Sequence, residues 1–598
     1  MIAAAGVCAA LIVALLAARA TLGRRAVFLL GRQGLHTAPG VLASCWVAGL
    51  LLGQFTRSMV GMTWTAALAL VAVAALARAR SAPLRARHRV WTPIDLGIVF
   101  GMGLLFWFTE RWDFECHRAI VGQFLHGNLP PTALNDPTAP LAYHAVFDAL
   151  VAVVLTALPL DFGQGMAMVS TACVALTITN LRAVTRSLFR TAAAAQLGRV
   201  LFAFGYGPTF VRCFWEGLNT DALHGRTSQS YADAILRRPA GLGIAFYTLA
   251  LALVLPVYRT GPGEPGLPQR RRAWTALAFL LPACALLPRM SEESVLFLGV
   301  VLAPLVLRGR LPWRLTAALA AAGLLGLAGS GVLLGLLGHG TMATPHPRLA
   351  WPPALPQWKF VEDGVPLWSG NGLLFFALEL GPAFLVALGA ALMSGQGRRR
   401  ILAALFLAGL AVAAFVRPQG WPKSDMDRFL LYGTPPIFML VAGLVDGVER
   451  RLAASPARRR ALAAVAVGLA VAVAGAPAVY PAVVILDGAR DTFGNHALGG
   501  ELKRDLAMVG PRERILAPVQ QANELLQAGF MVVAPLDTNS VGVITENHFD
   551  DYVRDHARDA AWLFLPEKDP RLAGKPAVAR HAGFVLVRAA PATAAPAR

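Results

Sequence analysis

Residues 110–144 read ERWDFECHRAIVGQFLHGNLPPTALNDPTAPLAYH, and the reading of this stretch decides the fold. It carries acids and histidines among hydrophobic runs, and it leaves an apolar segment that ends at Phe108. It is read as the first large outward loop of a polytopic membrane protein, with Asp113 as the group placed to do chemistry. A carboxylate just beyond the outer end of a span stays partly solvated yet can be drawn into a cleft, where it can take a proton from a hydroxyl or hold a divalent cation. Taken alone, such an acid is more often an ordinary solvated loop residue.

The composition supports the membrane reading. Of 598 residues, 56% are hydrophobic and only 15% charged, against about a quarter charged in soluble domains, and the mean hydropathy is +0.55. The net charge of +20 does not point to nucleic acid, because the Arg residues come in short bursts between apolar runs and form no basic stripe. Four of the cysteines, Cys8, Cys45, Cys173 and Cys284, fall within apolar runs, and there is no disulfide framework or CxxC metal motif. A Cys116–Cys213 bridge near the outer surface stays open. The N-terminus has no basic region ahead of its apolar stretch, so it is read as a retained span, not a cleaved signal peptide.

Apolar runs long enough to cross about 30 Å of hydrocarbon occur near 2–19, 39–56, 59–77, 92–108, 164–181, 197–213, 241–257, 273–288, 292–307, 313–337, 371–394, 401–416, 429–446 and 460–481. About 14 transmembrane helices are therefore expected. The Arg bursts at 24–32, 78–89, 182–190, 270–272, 308–310, 398–400 and 450–460 fall in alternate loops, which places all of them in the cytoplasm. This holds only if 144–158, HAVFDALVAVVLTAL, lies in the outer interface as an amphipathic or re-entrant helix. Both chain ends then face outward, as do the loops 109–163, 214–240, 338–370 and 417–428. Residues 1–487 form the membrane domain. Residues 488–598 are soluble in composition and read as a small C-terminal α/β domain with strands near 514–519, 531–535, 561–565 and 583–587. Its reading as a lid or brace stands beside one as a docking module, and the Ala/Pro-rich end from Ala589 reads as disordered.

Three sequence patterns carry a family resemblance. Asp113, His117, Ala119, Phe124-Leu125, Gly127 and Pro130-Pro131 follow one spacing; Pro140-Leu141-Ala142-Tyr143-His144 gives a proline-aromatic segment before the interfacial helix; and Ser424–Gly443 reads SDMDRFLLYGTPPIFMLVAG. Together these resemble the first outer loop and a late span of the GT-C superfamily of membrane glycosyltransferases. The resemblance implies an all-α polytopic fold, a polyprenyl-phosphate-linked sugar as donor, and a glycan, lipid or protein of the cell envelope as acceptor. It implies catalysis by Asp113, which matches the family's acid better than Glu115, the other candidate for that role, and substrate binding by His117, Tyr143, His144 and Arg428. Arg428 would hold the donor phosphate, to which a planar guanidinium pairs bidentately; a snorkelling anchor partnered by Asp427 is the other reading of that residue. A divalent cation is possible, and the expected location is a bacterial cytoplasmic membrane with the active site on its outer face. The chain departs from the family pattern at Phe114 and His117.

Further groups are ambiguous. Arg289-Met290-Ser291-Glu292-Glu293-Ser294 is a tight outer turn in which Arg289 and Glu292 are candidate substrate contacts, or simply pair with each other. Glu216, Asp221, His224 and Arg226 are weaker candidates for a second acid site. Trp351, Trp358 and Trp368 read as interface aromatics before sugar platforms, and Glu379 inside a span needs a partner or a water-lined cavity. Two other function classes compete. A transporter or flippase would carry mid-span charges and inverted repeats, whereas here the acids gather outside; a scaffold that kept the fold without the chemistry is the third.

Overall fold

In the computed structural model, the described residues are 34–78, 91–108, 114–131 without 126, 145–205 without 159 and 161, 238–259, 267–329 without 292, 347–349, 351–355, 365–418, 428–452, 500–510, 513–518, 530–533 and 560–589, with isolated residues between. The first half is a helical bundle: α1 (Gly34–Gly53), α2 (Met59–Arg78), α3 (Pro93–Phe108), α4 (Phe114–Leu125), α5 (Val146–Ala157), α6 (Phe162–Leu188), α7 (Ala192–Phe204) and α8 (Arg238–Val254). It continues with α9 (Leu267–Ala278), α10 (Leu281–Leu286), α11 (Ser294–Leu307), α12 (Trp313–Gly329), α13 (Gly370–Phe375), α14 (Gly381–Met393), α15 (Gly397–Phe415), α16 (Arg428–Leu431) and α17 (Thr434–Leu452).

Among the described residues, four helices are long and apolar enough to cross a membrane: Gly34–Thr56, Met59–Ala77, Phe162–Leu188 and Arg428–Gly447. Other expected spans appear as shorter apolar helices, and the runs at 2–19 and 460–481 lie almost entirely outside the described residues. Two spans are interrupted for local reasons. The run at 273–288 breaks between α9 and α10, just ahead of Pro282, whose ring cannot continue a helix interior. The run at 371–394 passes through a π-helix at Phe376–Leu380 into Gly381, whose φ of 75° is left-handed. The α1–α2 hairpin closes through Gly49 and Gly53, four residues apart: a Cβ there would stand 2.7 Å from the Ala66 Cα and 2.5 Å from the Met62 Cα. Small residues at this spacing let two helix backbones touch where lipid gives no hydrophobic drive.

One end of the bundle is held by buried charge. Thr92 and Asp95 form a reciprocal cap at the start of α3, with Asp95 Oδ2 accepting from the Thr92 amide and hydroxyl, both at 2.8 Å, and Pro93 at the first helical position. The other carboxylate oxygen accepts from Arg199 Nε of α7 at 2.6 Å, and Arg182 of α6 stands 3.7 Å away. Asp446 of α17 accepts from the amides of Arg190 and Thr191 between α6 and α7, both at 3.0 Å. Arg186 of α6 donates to His36 of α1 at 3.0 Å. The starts of α1, α3 and α7 therefore gather with the ends of α6 and α17.

The C-terminal segment contains α18 (Gly500–Asp505) and a five-stranded sheet of order β6-β5-β7-β9-β8, whose strands are β5 (Arg514–Leu516), β6 (Met531–Val533), β7 (Trp562–Pro566), β8 (Ala579–His581) and β9 (Phe584–Arg588). β5 runs parallel to β6 and β7, and β9 antiparallel to β7 and β8. Leu563, Leu565, Val585 and Val587 pack on one face and Trp562, Phe564 and Leu586 on the other, so the central strands are buried on both sides. Two short antiparallel ribbons, β1 (Pro347–Leu349) with β4 (Val416–Pro418) and β2 (Ala354–Leu355) with β3 (Val365–Pro366), lie in the chain between α12 and α16, β4 directly following α15.

Candidate functional site

The helix α4 begins at Phe114, directly after Asp113, which lies outside the described residues, as do Tyr143, His144, Glu292, Glu216, Asp221, His224, Arg226 and Trp358. Glu115 and Cys116 fall in the first turn of α4, and the Cys116–Cys213 question lies outside what is described. The inner face of α4 is apolar: Ile120, Val121 and Phe124 are buried. Past its end the chain folds back, with the Asn128 side chain donating to Gln123 Oε1 at 2.8 Å and the Leu141 amide reaching the Pro131 carbonyl at 3.1 Å.

Against α4 lies α5, which is 12 residues long, about 18 Å at 1.5 Å per residue and shorter than the hydrocarbon layer. Its first two turns, Val146 to Ala152, are buried and its last residues exposed. His117 of α4 meets Asp148 of α5, Nδ1 standing 3.0 and 3.2 Å from the two carboxylate oxygens. Their side chains are 3% and 0% exposed. His117, expected to face substrate, is thus committed on its Nδ1 edge to a protein carboxylate. Asp148 was not singled out from the sequence, although a lone acid in the apolar run VFDALVAVVL is a signal that it needs a partner.

The helix α8 touches α5 of this pair and also packs on a second group of residues. There Arg428 opens α16, and four residues on, Tyr432 is packed edge-on to Tyr247 of α8 and stacked on Phe297 of α11, with ring centroids 5.1 Å apart in both pairs. The Tyr247 hydroxyl donates to the Tyr432 carbonyl at 2.8 Å. A Cβ on Gly243 would stand 2.7 Å from the Tyr432 hydroxyl and 3.8 Å from the Cβ atoms of both Met290 and Ser291, so the turn at 289–294 and the Arg428 segment are neighbours. Within that turn the Ser291 hydroxyl donates to buried Glu293, and the Arg289 guanidinium packs over Gly329 at the end of α12. Glu293, not the adjacent Glu292, is the acid whose partner is described. Trp351 and Trp368 are largely exposed, with Trp351 stacked on Phe415 at the start of the β4 ribbon. Glu379 falls in the π-helical turn. Among the described residues no group of three or more His, Cys, Asp or Glu side chains is placed to hold a metal ion.

No protein-family profile matches the chain, and no curated protein sequence matches it. Solved structures with a similar chain trace include ArnT from Cupriavidus metallidurans bound to undecaprenyl phosphate, 13% identical, covering 84% of this chain and 99% of that one with a TM-score of 0.45. They also include the Archaeoglobus fulgidus oligosaccharyltransferase tethered to an acceptor peptide, 10% identical over 79% of this chain and 68% of that one with a TM-score of 0.44. The archaeal oligosaccharyltransferase AglB with an inhibitory peptide and a dolichol-phosphate is 12% identical over 79% and 69%, with a TM-score of 0.41.

Proposed function

We propose that this chain is an integral-membrane glycosyltransferase of the GT-C type, which moves a sugar from a polyprenyl-phosphate donor to a cell-envelope acceptor on the outer side of the membrane. The observation that carries the reading is the placement of α8: it packs on α5, which holds the acid-bearing helix α4, and on Tyr432, which fixes the Arg428 segment. One helix thus links the neighbour of α4, the helix that Asp113 directly precedes in the sequence, to the segment opened by Arg428, and this supports the reading. In the reaction Asp113 takes the proton of the acceptor hydroxyl as its oxygen bonds to the sugar's anomeric carbon, and the bond from that carbon to the phosphate oxygen breaks. Polyprenyl phosphate leaves with the electron pair, and the Arg428 guanidinium stabilises its added charge.

The sidedness follows from charge. The helix ends gathered around Asp95 are those next to the Arg bursts at 182–190 and 450–460, and basic loops stay in the cytoplasm. The α4–α5 end is then outward, with the C-terminal segment on the same side.

The test is release of undecaprenyl phosphate from a panel of undecaprenyl-phosphate-linked sugars by purified protein. Asp113→Asn keeps the size and most hydrogen bonds but cannot take a proton, so turnover falls about 10²–10⁴-fold while donor binding persists, and Glu115→Gln does less. Full activity of both variants would end the enzymatic reading of this loop. A second reading, transport of a lipid-linked substrate, is favoured by one feature, the break at Phe376–Leu380 that carries Glu379 in the middle of a span. Movement of labelled lipid across sealed vesicles without sugar release would establish it instead.

A further inference from the structure

The buried pair His117–Asp148 joins the first turn of α4 to the first turn of α5. The later turns of α4 are anchored by Ile120, Val121 and Phe124, each at most 1% exposed. Apolar contacts of that kind are non-directional and leave the rotation and tilt of the first turn to be set by something directional. The hydrogen bond from His117 supplies it, at 3.0 Å and almost fully out of water, where a charged or polar contact is costly to break. Residues 114 and 115 fall in the same helical turn as His117, so whatever fixes His117 fixes the backbone of that turn, which Asp113 directly precedes in the sequence.

We infer that His117 and Asp148 are positioning residues that hold the acid-bearing start of α4 in place for reaction, and that His117 works through its Nδ1 edge on Asp148, not as a substrate ligand. This rests on reading residues 113–115 as the catalytic segment. The side chain of Asn carries its amide nitrogen where His carries Nδ1, whereas Gln reaches the place of Nε2. His117→Asn therefore keeps the bond to Asp148 and gives up the other edge, and His117→Gln does the reverse.

The experiment uses the full chain in lipid nanodiscs, with His117→Asn, His117→Gln and His117→Ala read in two ways: amide hydrogen exchange of peptides from 114–125, with 162–188 as internal reference, and kcat and KM for undecaprenyl phosphate release. The expected result is that Asn keeps wild-type exchange and a kcat within about threefold. Gln and Ala speed exchange in the first turns of α4 about tenfold or more and lower kcat about 10²-fold, the cost of an ångström of misplacement, with KM for the donor unchanged. An active Gln variant beside an inactive Asn variant would overturn the inference and return His117 to the substrate. Faster exchange throughout 162–188 in the Gln and Ala variants would also overturn it, since the pair would then hold up the whole bundle. If the exchange pattern follows expectation but Asp113→Asn is fully active, the failure lies in the catalytic reading of residues 113–115 and not in the pairing.

Discussion

Replacing Asp95 tests how the bundle is held at its charged end. Its side chain is fully buried, and its two oxygens take Arg199 Nε at 2.6 Å and the Thr92 amide and hydroxyl at 2.8 Å each, with Arg182 at 3.7 Å. Asp95→Asn keeps the volume and can keep the Thr92 cap, but it leaves two guanidiniums, 6% and 4% exposed, facing each other without the carboxylate between them. Breaking a buried ion pair in this way costs about 3–5 kcal/mol. Arg199→Met is milder, because Asp95 retains Thr92 and Arg182; losing one charge-assisted bond costs about 1.5–3 kcal/mol. The double variant Asp95→Asn/Arg199→Met removes one of the stranded cations, so its cost falls short of the sum by about 0.5–3 kcal/mol. The assay is the apparent unfolding temperature of each purified variant in one detergent, read as a rank order since a chain of this size need not unfold in one step. The reasoning fails if Asp95→Asn is no worse than Arg199→Met, or if the two changes simply add.

The remaining predictions concern the outer end and the tail. Arg428→Ala should weaken binding of undecaprenyl phosphate by about 1.5–3 kcal/mol with little change in unfolding temperature, measured by titration of the lipid; an unchanged affinity rejects its role. Glu513 accepts from the Gly510 amide and from Trp562 Nε1, both at 2.8 Å, and these bonds, with Arg588 nearby, hold its pKa below the ordinary 4.5. A depressed carboxylate adds stability above its unfolded pKa and loses it as pH falls through the folded value. Glu513→Gln should therefore lower amide protection of 562–566 and 584–588 at pH 7, by about 1 kcal/mol for a partly exposed group, with the difference from the parent chain shrinking as pH drops below 4.5. Cysteines placed at Gly163 and Ala557 should both react with an outside reagent in intact cells; protection of Gly163 would sink the non-spanning reading of α5.

Local residue pattern determined a good deal. The excess of apolar over charged residues marks a membrane protein, since soluble domains carry about a quarter charged residues against 15% here. Strands β5, β6, β7 and β9 fall in the strand segments expected from the sequence, because a short continuous apolar run between polar stretches is the local mark of a strand buried on both faces. β8 was not legible: it is three residues long and turns into β9 through Ala582 and Gly583 at φ 47° and 83°, a left-handed turn without the usual Asn-Gly signal. The breaks within the runs at 273–288 and 371–394 do not show in hydropathy, which registers composition; their local marks in the sequence are Pro282 and Gly381.

The polar pairs were decided by tertiary structure alone. His117 and Asp148 are 31 residues apart and Asp95 and Arg199 are 104 apart, and nothing in either segment names its partner. What sequence supplies is the obligation: an acid within an apolar run must be paired, because its desolvation costs several kcal/mol. Which base answers it depends on how the helices cross, and that is settled by the packing of whole faces such as Gly49 and Gly53 against α2. The same non-local packing gave the Nδ1 edge of His117, a substrate contact expected from the sequence, a partner in Asp148.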